Sequence, residues 1–259
     1  MSEDAGTIEP ALADGILEIR IRRPARRNAL THAMYRELLA ALERGDSDGD
    51  VRVLLITGTP DCFTAGNDMA DFLERPPDSF DSPVMQLLQR LPALETPLVA
   101  AVNGAAVGIG TTLLLHCDLV YVGRGARLQL PFVNLGLSPE AGSGLLLPLL
   151  VGRPRAAELL LLGEPFDGAT AFELGLANAV LDDDDCLAHA RERAARLAAQ
   201  PPAAVRATRG LMRRAWQDRT REQIEAETAV FIERLHAPEA REAMTAFMEK
   251  RAPDFGHFR

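Results

Sequence analysis

Leu17, Ile19 and Ile21 alternate with Glu18, Arg20 and Arg22, the period of two expected of a half-buried strand over Gly15–Arg22, and Arg23-Pro24 ends it. The period then lengthens. Thr31 is placed to cap a helix that carries Met34, Leu38, Leu39 and Leu42 on one face and runs to about Arg44. Val51–Thr57 is a short apolar run closed by Gly58, the pattern of a buried strand, and a loop of small residues follows over Pro60–Asp71. The cycle then repeats. A helix is expected over Val84–Leu94, a buried strand over Leu98–Val102, a turn at Asn103-Gly104 and an apolar helix from about Ile109 to His116. Leu119–Val122 and Arg127–Leu130 read as further short strands. Such alternation predicts an α/β core. From about Asp184 the pattern is almost wholly helical, with helices at Cys186–Ala198, Ala203–Trp216, Arg221–Leu235 and Pro238–Lys250. The chain thus divides into a core over residues 1–183 and a helical C-terminal region over 184–259, suited equally to a lid or an oligomer contact.

With 259 residues, 47% hydrophobic and 25% charged, the chain has ample material for a globular core. Its formal net charge of -9 argues against nucleic acid or an anionic membrane as the main partner, because both reward a basic surface. Cys62, Cys117 and Cys186 follow no metal-ligand spacing and read as reduced, mostly buried thiols of a cytoplasmic protein. Met1–Ala13 is acidic and lacks the pattern of a secretory signal, and Gly256–Arg259 is not a peroxisomal address. The longest apolar runs, Leu145–Val151 and Leu159–Leu162, are too short for a membrane span.

Candidate chemistry narrows by elimination first. His32, His116, His189, His236 and His257 are scattered without zinc-site spacing, so no metal is expected. There is no G-x-S-x-G elbow and no P-loop lysine, and Gly108-Ile109-Gly110 lacks the third glycine of a dinucleotide fingerprint. Three segments stand out instead: Cys62–Asp68 after a buried strand, Asn103–Gly110 between a strand and a helix, and Pro131–Gly142. Taken singly, each glycine cluster reads as a turn that needs positive φ. Glycine also lets backbone N–H groups approach a ligand, and the second cluster opens a helix whose N-terminus favours an anion.

Together these segments resemble the crotonase superfamily, the enoyl-CoA hydratases and isomerases. Arg23-Pro24 followed by Asn28-Ala29-Leu30 looks like the family's opening motif, and Phe63-Thr64-Ala65-Gly66-Asn67-Asp68 like its first oxyanion loop. Ala101-Val102-Asn103-Gly104, running through Gly108-Ile109-Gly110 to Cys117-Asp118, looks like its second. Phe247-Met248-Glu249-Lys250-Arg251 resembles its C-terminal cofactor-binding stretch, so the likeness extends from about Ile16 to Phe255. It implies a crotonase-type ββα spiral core with a helical C-terminal region. It also implies an acyl-CoA thioester substrate, coenzyme A present only as part of that substrate, no permanently bound cofactor, and a homotrimer or dimer of trimers.

The resemblance implies residue roles as well. Two backbone N–H groups, mapped to Ala65 and Ile109, are expected to form the oxyanion hole; Ile109 replaces the family's usual glycine, which a backbone donor tolerates. Such donors stabilise the enolate oxygen formed when a proton leaves beside the thioester carbonyl, by about 3 kcal/mol each. The two glutamates of the hydratases map to Thr112 and Phe132, neither of which titrates near neutrality. Glu140 lies in Leu135–Ser143, which resembles the segment holding the single catalytic glutamate of Δ3,Δ2-enoyl-CoA isomerases. By its local sequence Glu140 is only a carboxylate at a helix start; the surrounding match makes it the expected acid/base of a 1,3-proton shift. Phe132, Leu135 and Leu137 are expected to desolvate it and raise its pKa towards neutrality. Arg26, Ala29, Phe247 and Lys250 are expected at coenzyme A, although Ala25 stands where the family often has lysine. Asp68, Met69, Phe72, Thr112, Phe132 and Leu135 are expected around the acyl chain, with Ala70–Ser82 bordering it. The expected activity is isomerisation of 3-enoyl-CoA to 2-enoyl-CoA, as in fatty acid metabolism. Hydration or another crotonase-type reaction is the alternative, and a CoA-binding protein without turnover a more distant one.

Overall fold

The computed structural model describes residues 6–258. Met1–Ala5 of the acidic N-terminal stretch, and Arg259 at the other end, lie outside the described residues. The chain opens with an antiparallel hairpin of β1 (Thr7–Ala13) and β2 (Ile16–Arg22). Asp14 and Gly15 turn it with φ of 51° and 78°, the left-handed pair that matches strand twist in a tight hairpin. Next comes α1 (His32–Ser47), where the Thr31 side chain accepts the Met34 N–H at 3.3 Å and so supplies the expected cap.

Three ββα turns follow. The first is β3 (Val53–Thr57), β4 (Cys62–Thr64) and the helices α2 (Met69–Glu74) and α3 (Pro83–Ala93). The second is β5 (Leu98–Val102), β6 (Ala105–Val107) and α4 (Ile109–Thr112), which tightens into a 3-10 turn over Leu113–His116. The third is β7 (Leu119–Gly123), β8 (Arg127–Gln129) and α5 (Ser143–Val151). The long strands join the hairpin in a six-stranded sheet ordered β1-β2-β3-β5-β7-β10, parallel from β2 onward, with β10 (Ala179–Leu181) at its edge. The short ones form a second sheet, β4-β6-β8-β9, completed by β9 (Phe166–Asp167) antiparallel to β8. Between α5 and β10 lie α6 (Arg153–Ala157), a π-helical turn at Glu158–Leu162, and α7 (Gly168–Glu173).

Period-two alternation divides the main sheet's side chains between two apolar layers. Leu54, Ile56, Leu98, Ala100, Val102, Val120 and Val122 face the larger core with α1 and α3. Val53, Leu55, Val99, Ala101 and Tyr121 face α8 (Asp183–Ala198). That helix meets the sheet with Cys186, Ala190, Ala194 and Ala198, a four-residue repeat of small side chains that lets it lie close. The chain ends with α9 (Pro202–Arg213), α10 (Gln217–Leu235) and α11 (Pro238–Glu249); α10 packs on α3 and α5. No helix among the described residues is long and apolar enough to cross a membrane. The three cysteines are unpaired.

The tightest crossing in this arrangement brings the two candidate loops together. Gly104, at φ 60°, lies so close to Cys62 that an added Cβ would overlap the carbonyl oxygen of Asp61. Gly104→Ala is expected to cost at least about 3 kcal/mol, combining backbone strain with a clash against fixed main chain. Urea unfolding measures it. A variant within about 1 kcal/mol of the parent would show that this crossing is not rigid.

Candidate active site

One side chain dominates the chemistry of the cavity between the two loops and the C-terminal helices. Glu140 lines this space of about 800 Å³ yet is only 6% exposed. Its Oε1 accepts the Thr112 hydroxyl at 2.5 Å, while Oε2 is buried with no protein partner among the described residues. Burial raises its pKa to about 8; the Thr112 hydrogen bond works against that rise, and the nearby Glu227 charge adds to it. Phe132, Leu135 and Leu137, expected to desolvate it, all line the same cavity.

The backbone after Glu140 is unusual. Ala141 and Gly142 both take left-handed φ, 60° and 72°, so the chain reverses before α5. Only glycine adopts this conformation without cost, so Ala141 must be held there by its surroundings. The Glu140 carbonyl accepts the Ser143 N–H at 3.0 Å and the Ser143 hydroxyl at 2.6 Å. The Ala141 carbonyl accepts Nε2–H of His116 at 2.7 Å. Burial lowers the His116 pKa to about 4, so the ring is neutral, and a carbonyl partner fixes its proton on Nε2.

The two loops present backbone donors, and here the structure corrects an expectation. The Ala65 N–H is not available to a ligand, because it donates to the Arg27 carbonyl at 3.0 Å. Arg27 and Asn28 adopt left-handed φ of 50° and 56°, and the Asn28 amide donates to the Cys62 carbonyl at 2.6 Å, binding the opening motif to this loop. Three residues after Ala65, the Asp68 N–H donates to the Leu30 carbonyl, and the intervening Asn67 N–H has no protein acceptor among the described residues. Asn67 and Ile109 both line the cavity. Ile109 is the first residue of α4, where a helix has no internal acceptor for its N–H.

The remaining candidates separate into those the fold brings to the cavity and those it does not. Arg26, Ala29, Asp68, Met69, Phe72, Phe132, Leu135 and Phe247 line it. Thr112 stands behind Glu140 and is fully buried. Lys250 is the left-handed residue that ends α11 and is exposed away from the wall; Arg251 lines the cavity instead, held by Glu242 at 2.6 Å. Asp68 is occupied: it accepts Arg23 at 2.5 Å and the Asp71 N–H at 2.9 Å. Burial acts to raise its pKa, but the Asp71 N–H and Arg23 outweigh that and hold it below the usual carboxylate range.

Several wall residues were not expected from sequence, and three of them shape the site. The Tyr35 hydroxyl donates to Asn67 Oδ1; burial first, then the Glu140 charge, push its pKa well up, so it stays protonated. Asn67 itself supplies an N–H with no acceptor among the described residues. Phe231 of α10 closes the apolar end with Phe72, ring edge to face at 6.2 Å, beside Val84, Met85 and Leu88. Its spacing from Ile224 and Leu235 marks a buried face of α10, although nothing in sequence assigns that face to a cavity. Among the described residues no group of three or more His, Cys, Asp or Glu side chains is arranged to hold a metal.

The enoyl-CoA hydratase/isomerase family model matches residues 12–257. The chain belongs to this family. It is 34% identical over 241 residues to the 2,3-dehydroadipyl-CoA hydratase of Escherichia coli, covering 93% of this chain and 94% of that protein. It is also 34% identical over 254 residues to the 1,2-epoxyphenylacetyl-CoA isomerase of the same organism, covering 93% and 95%. The solved structure of Pseudomonas aeruginosa OdaA superposes with a TM-score of 0.91 at 51% identity, covering 93% of this chain and 98% of that one. The protein is therefore a crotonase-fold enzyme of the enoyl-CoA hydratase/isomerase type, acting on CoA thioesters.

Glu140 binds its proton more tightly folded than unfolded, since its pKa rises from 4.5 to about 8. Its contribution to stability is therefore fully present below 4.5 and lost as pH rises through about 8. Relative to Glu140→Gln, the parent is expected to lose a few kcal/mol between pH 5 and pH 8.5. Denaturant unfolding of both proteins at the two pH values measures this difference and cancels contributions from other groups. Identical pH dependence in both would contradict the buried carboxyl.

Proposed function

We propose that this enzyme moves the double bond of a 3-enoyl-CoA to the 2-position, with Glu140 as the single acid/base. The observation that carries the reading is the Glu140 carboxyl itself: buried in a residue that lines the cavity, raised in pKa, one oxygen held by Thr112 and the other without a protein partner among the described residues. In the ionised state Oε2 takes a proton from C2. The electron pair shifts into a dienolate whose charge rests largely on the thioester oxygen, and the same carboxyl returns the proton at C4. A carboxylate of ordinary pKa would be a weak base towards such a carbon; raising the pKa strengthens it. The N–H groups of Asn67 and Ile109 are assigned to the thioester oxygen, where preorganised donors act most strongly on developing charge.

Hydration needs a second group to handle water, and the candidates are poor. Thr112 and Phe132 carry no such acid, Asp68 is engaged by Arg23, and Tyr35 is held protonated. The names of relatives include both hydratase and isomerase, and this shortage of a second acid favours the isomerase. Around the rest of the substrate we assign Arg26, Arg27 and Arg251 to the CoA phosphates, Ala29 and Phe247 to the nucleotide end, and Phe72, Met85, Leu88 and Phe231 to the acyl chain. A homotrimer or dimer of trimers is proposed on the family resemblance, and the exposed large apolar side chains Leu149, Leu150, Leu161 and Leu162 are consistent with a covered surface. A cytoplasmic setting is proposed on the three unpaired thiols.

The test is incubation with 3-enoyl-CoA and 2-enoyl-CoA of several chain lengths, scoring double-bond migration against hydration. Migration is expected to dominate, with kcat rising as Glu140 ionises and half-maximal near pH 8. Glu140→Gln is expected to lose at least about 10³-fold in kcat while still binding acyl-CoA. Wild-type turnover in that variant, or a profile half-maximal near pH 4.5, would refute the assignment.

A further inference from the structure

Gly142 precedes α5 with φ 72°, a conformation that glycine adopts most readily, and having no side chain it gives the helix no side-chain cap of its own. A residue far away in sequence supplies one. Glu227 of α10 is buried, and its Oε2 accepts the Gly142 N–H at 2.6 Å. Its Oε1 accepts the Gly144 N–H at 2.8 Å and the Gln223 side-chain amide at 3.0 Å. All three partners are donors, which suits the ionised carboxylate and not the protonated acid.

We propose that Glu227 is a positioning residue for Glu140: by holding Gly142 and Gly144 it fixes the left-handed turn that aims the reactive carboxyl into the cavity. The proposal rests on the isomerase reading above. The restraint acts from the C-terminal side of the turn, while His116 and Ser143 hold the Ala141 and Glu140 carbonyls. One helical turn beyond Glu227, Phe231 forms the acyl end of the cavity with Phe72. A single helix thus sets both the wall that meets the acyl chain and the turn that carries the base.

The role is electrostatic as well as mechanical. The ionisable groups facing this corner are Tyr35 of α1, His116 after α4, Glu140 itself and Glu227 of α10, with Arg209 and Arg213 of α9 beyond His116. Tyr35 stays protonated and His116 neutral, so Glu227 is the group among the described residues whose charge acts on Glu140. Glu227 is itself pushed up by burial, against the opposing pull of Gln223, Gly144 and Gly142. Removing its charge lowers the Glu140 pKa and moves the acidic limb of activity to lower pH.

Glu227→Gln and Glu227→Asp test this against Glu140→Gln, with kcat, KM and the pH profile measured on the full chain and Tm followed in parallel. Glu227→Gln keeps the shape but faces one N–H with an amide NH2. It is expected to lose at least tenfold in kcat, hold KM within about threefold, and shift the acidic limb to lower pH. Glu227→Asp retains charge one methylene short, so kcat is expected to fall with the limb unmoved; it decides the matter if the Gln variant does not fold. Wild-type kcat in either folded variant, or a Gln variant whose kcat falls with the limb unmoved, would overturn the proposal. Persistent turnover in Glu140→Gln would instead refute the isomerase reading.

Discussion

A carboxyl group taken out of water with one hydroxyl as its hydrogen-bond partner among the described residues is held at a cost, and the molecule concentrates that cost at Glu140. Much of the surrounding structure can be understood as support for it. Thr112 fixes one oxygen, His116 and Ser143 fix the main chain on either side of the side chain, and Glu227 occupies the N–H groups just beyond. Without these restraints a buried acid of high pKa would turn outward to solvent, since no cationic group among the described residues repays its burial. The left-handed pair Ala141-Gly142 is the local expression of the same demand.

The two-sheet core gives that site its frame. Every turn of the ββα spiral passes from the main sheet into the second, so the segments following β4, β6 and β8 emerge near one another. Two deliver backbone N–H groups, at Asn67 and Ile109, that have no acceptor among the described residues, and the third delivers Glu140. Close crossings such as Gly104 against Asp61 and Gly66 against the Val107 carbonyl keep the loops in register to within the size of a methyl group.

Much of this was legible in sequence. Alternation marked β2, apolar runs marked β3 and β5, and Thr31 marked the start of α1. The β1–β2 hairpin carried a readable signal, Asp14-Gly15, but Thr7–Ala13 has too weak an alternation to declare a strand. The run Ser143–Val151 is apolar all round, without a face, so neither its helical state nor its orientation could be deduced. Ala65 and Asn67 show why a backbone role resists reading from side chains: which N–H is free depends on where the Arg27 and Leu30 carbonyls fall. Lys250 and Arg251 differ for a related reason, because the left-handed end of α11 decides which cation turns towards the cavity. Tyr35, Glu227 and Phe231 reach the site from helices distant in the chain, a tertiary fact with no local signature.

In the proposed reaction one carboxyl, that of Glu140, performs both proton transfers. A 3-enoyl-CoA carrying deuterium at C2, turned over in ordinary water and analysed by mass spectrometry and NMR, tests it directly. A proton held on a buried acid between two carbons of one substrate should be returned in part before it exchanges, so deuterium is expected at C4 of the 2-enoyl product. Complete loss of the label to water with none at C4, or oxygen from water at C3 in the initial product, would contradict a single shuttling carboxyl.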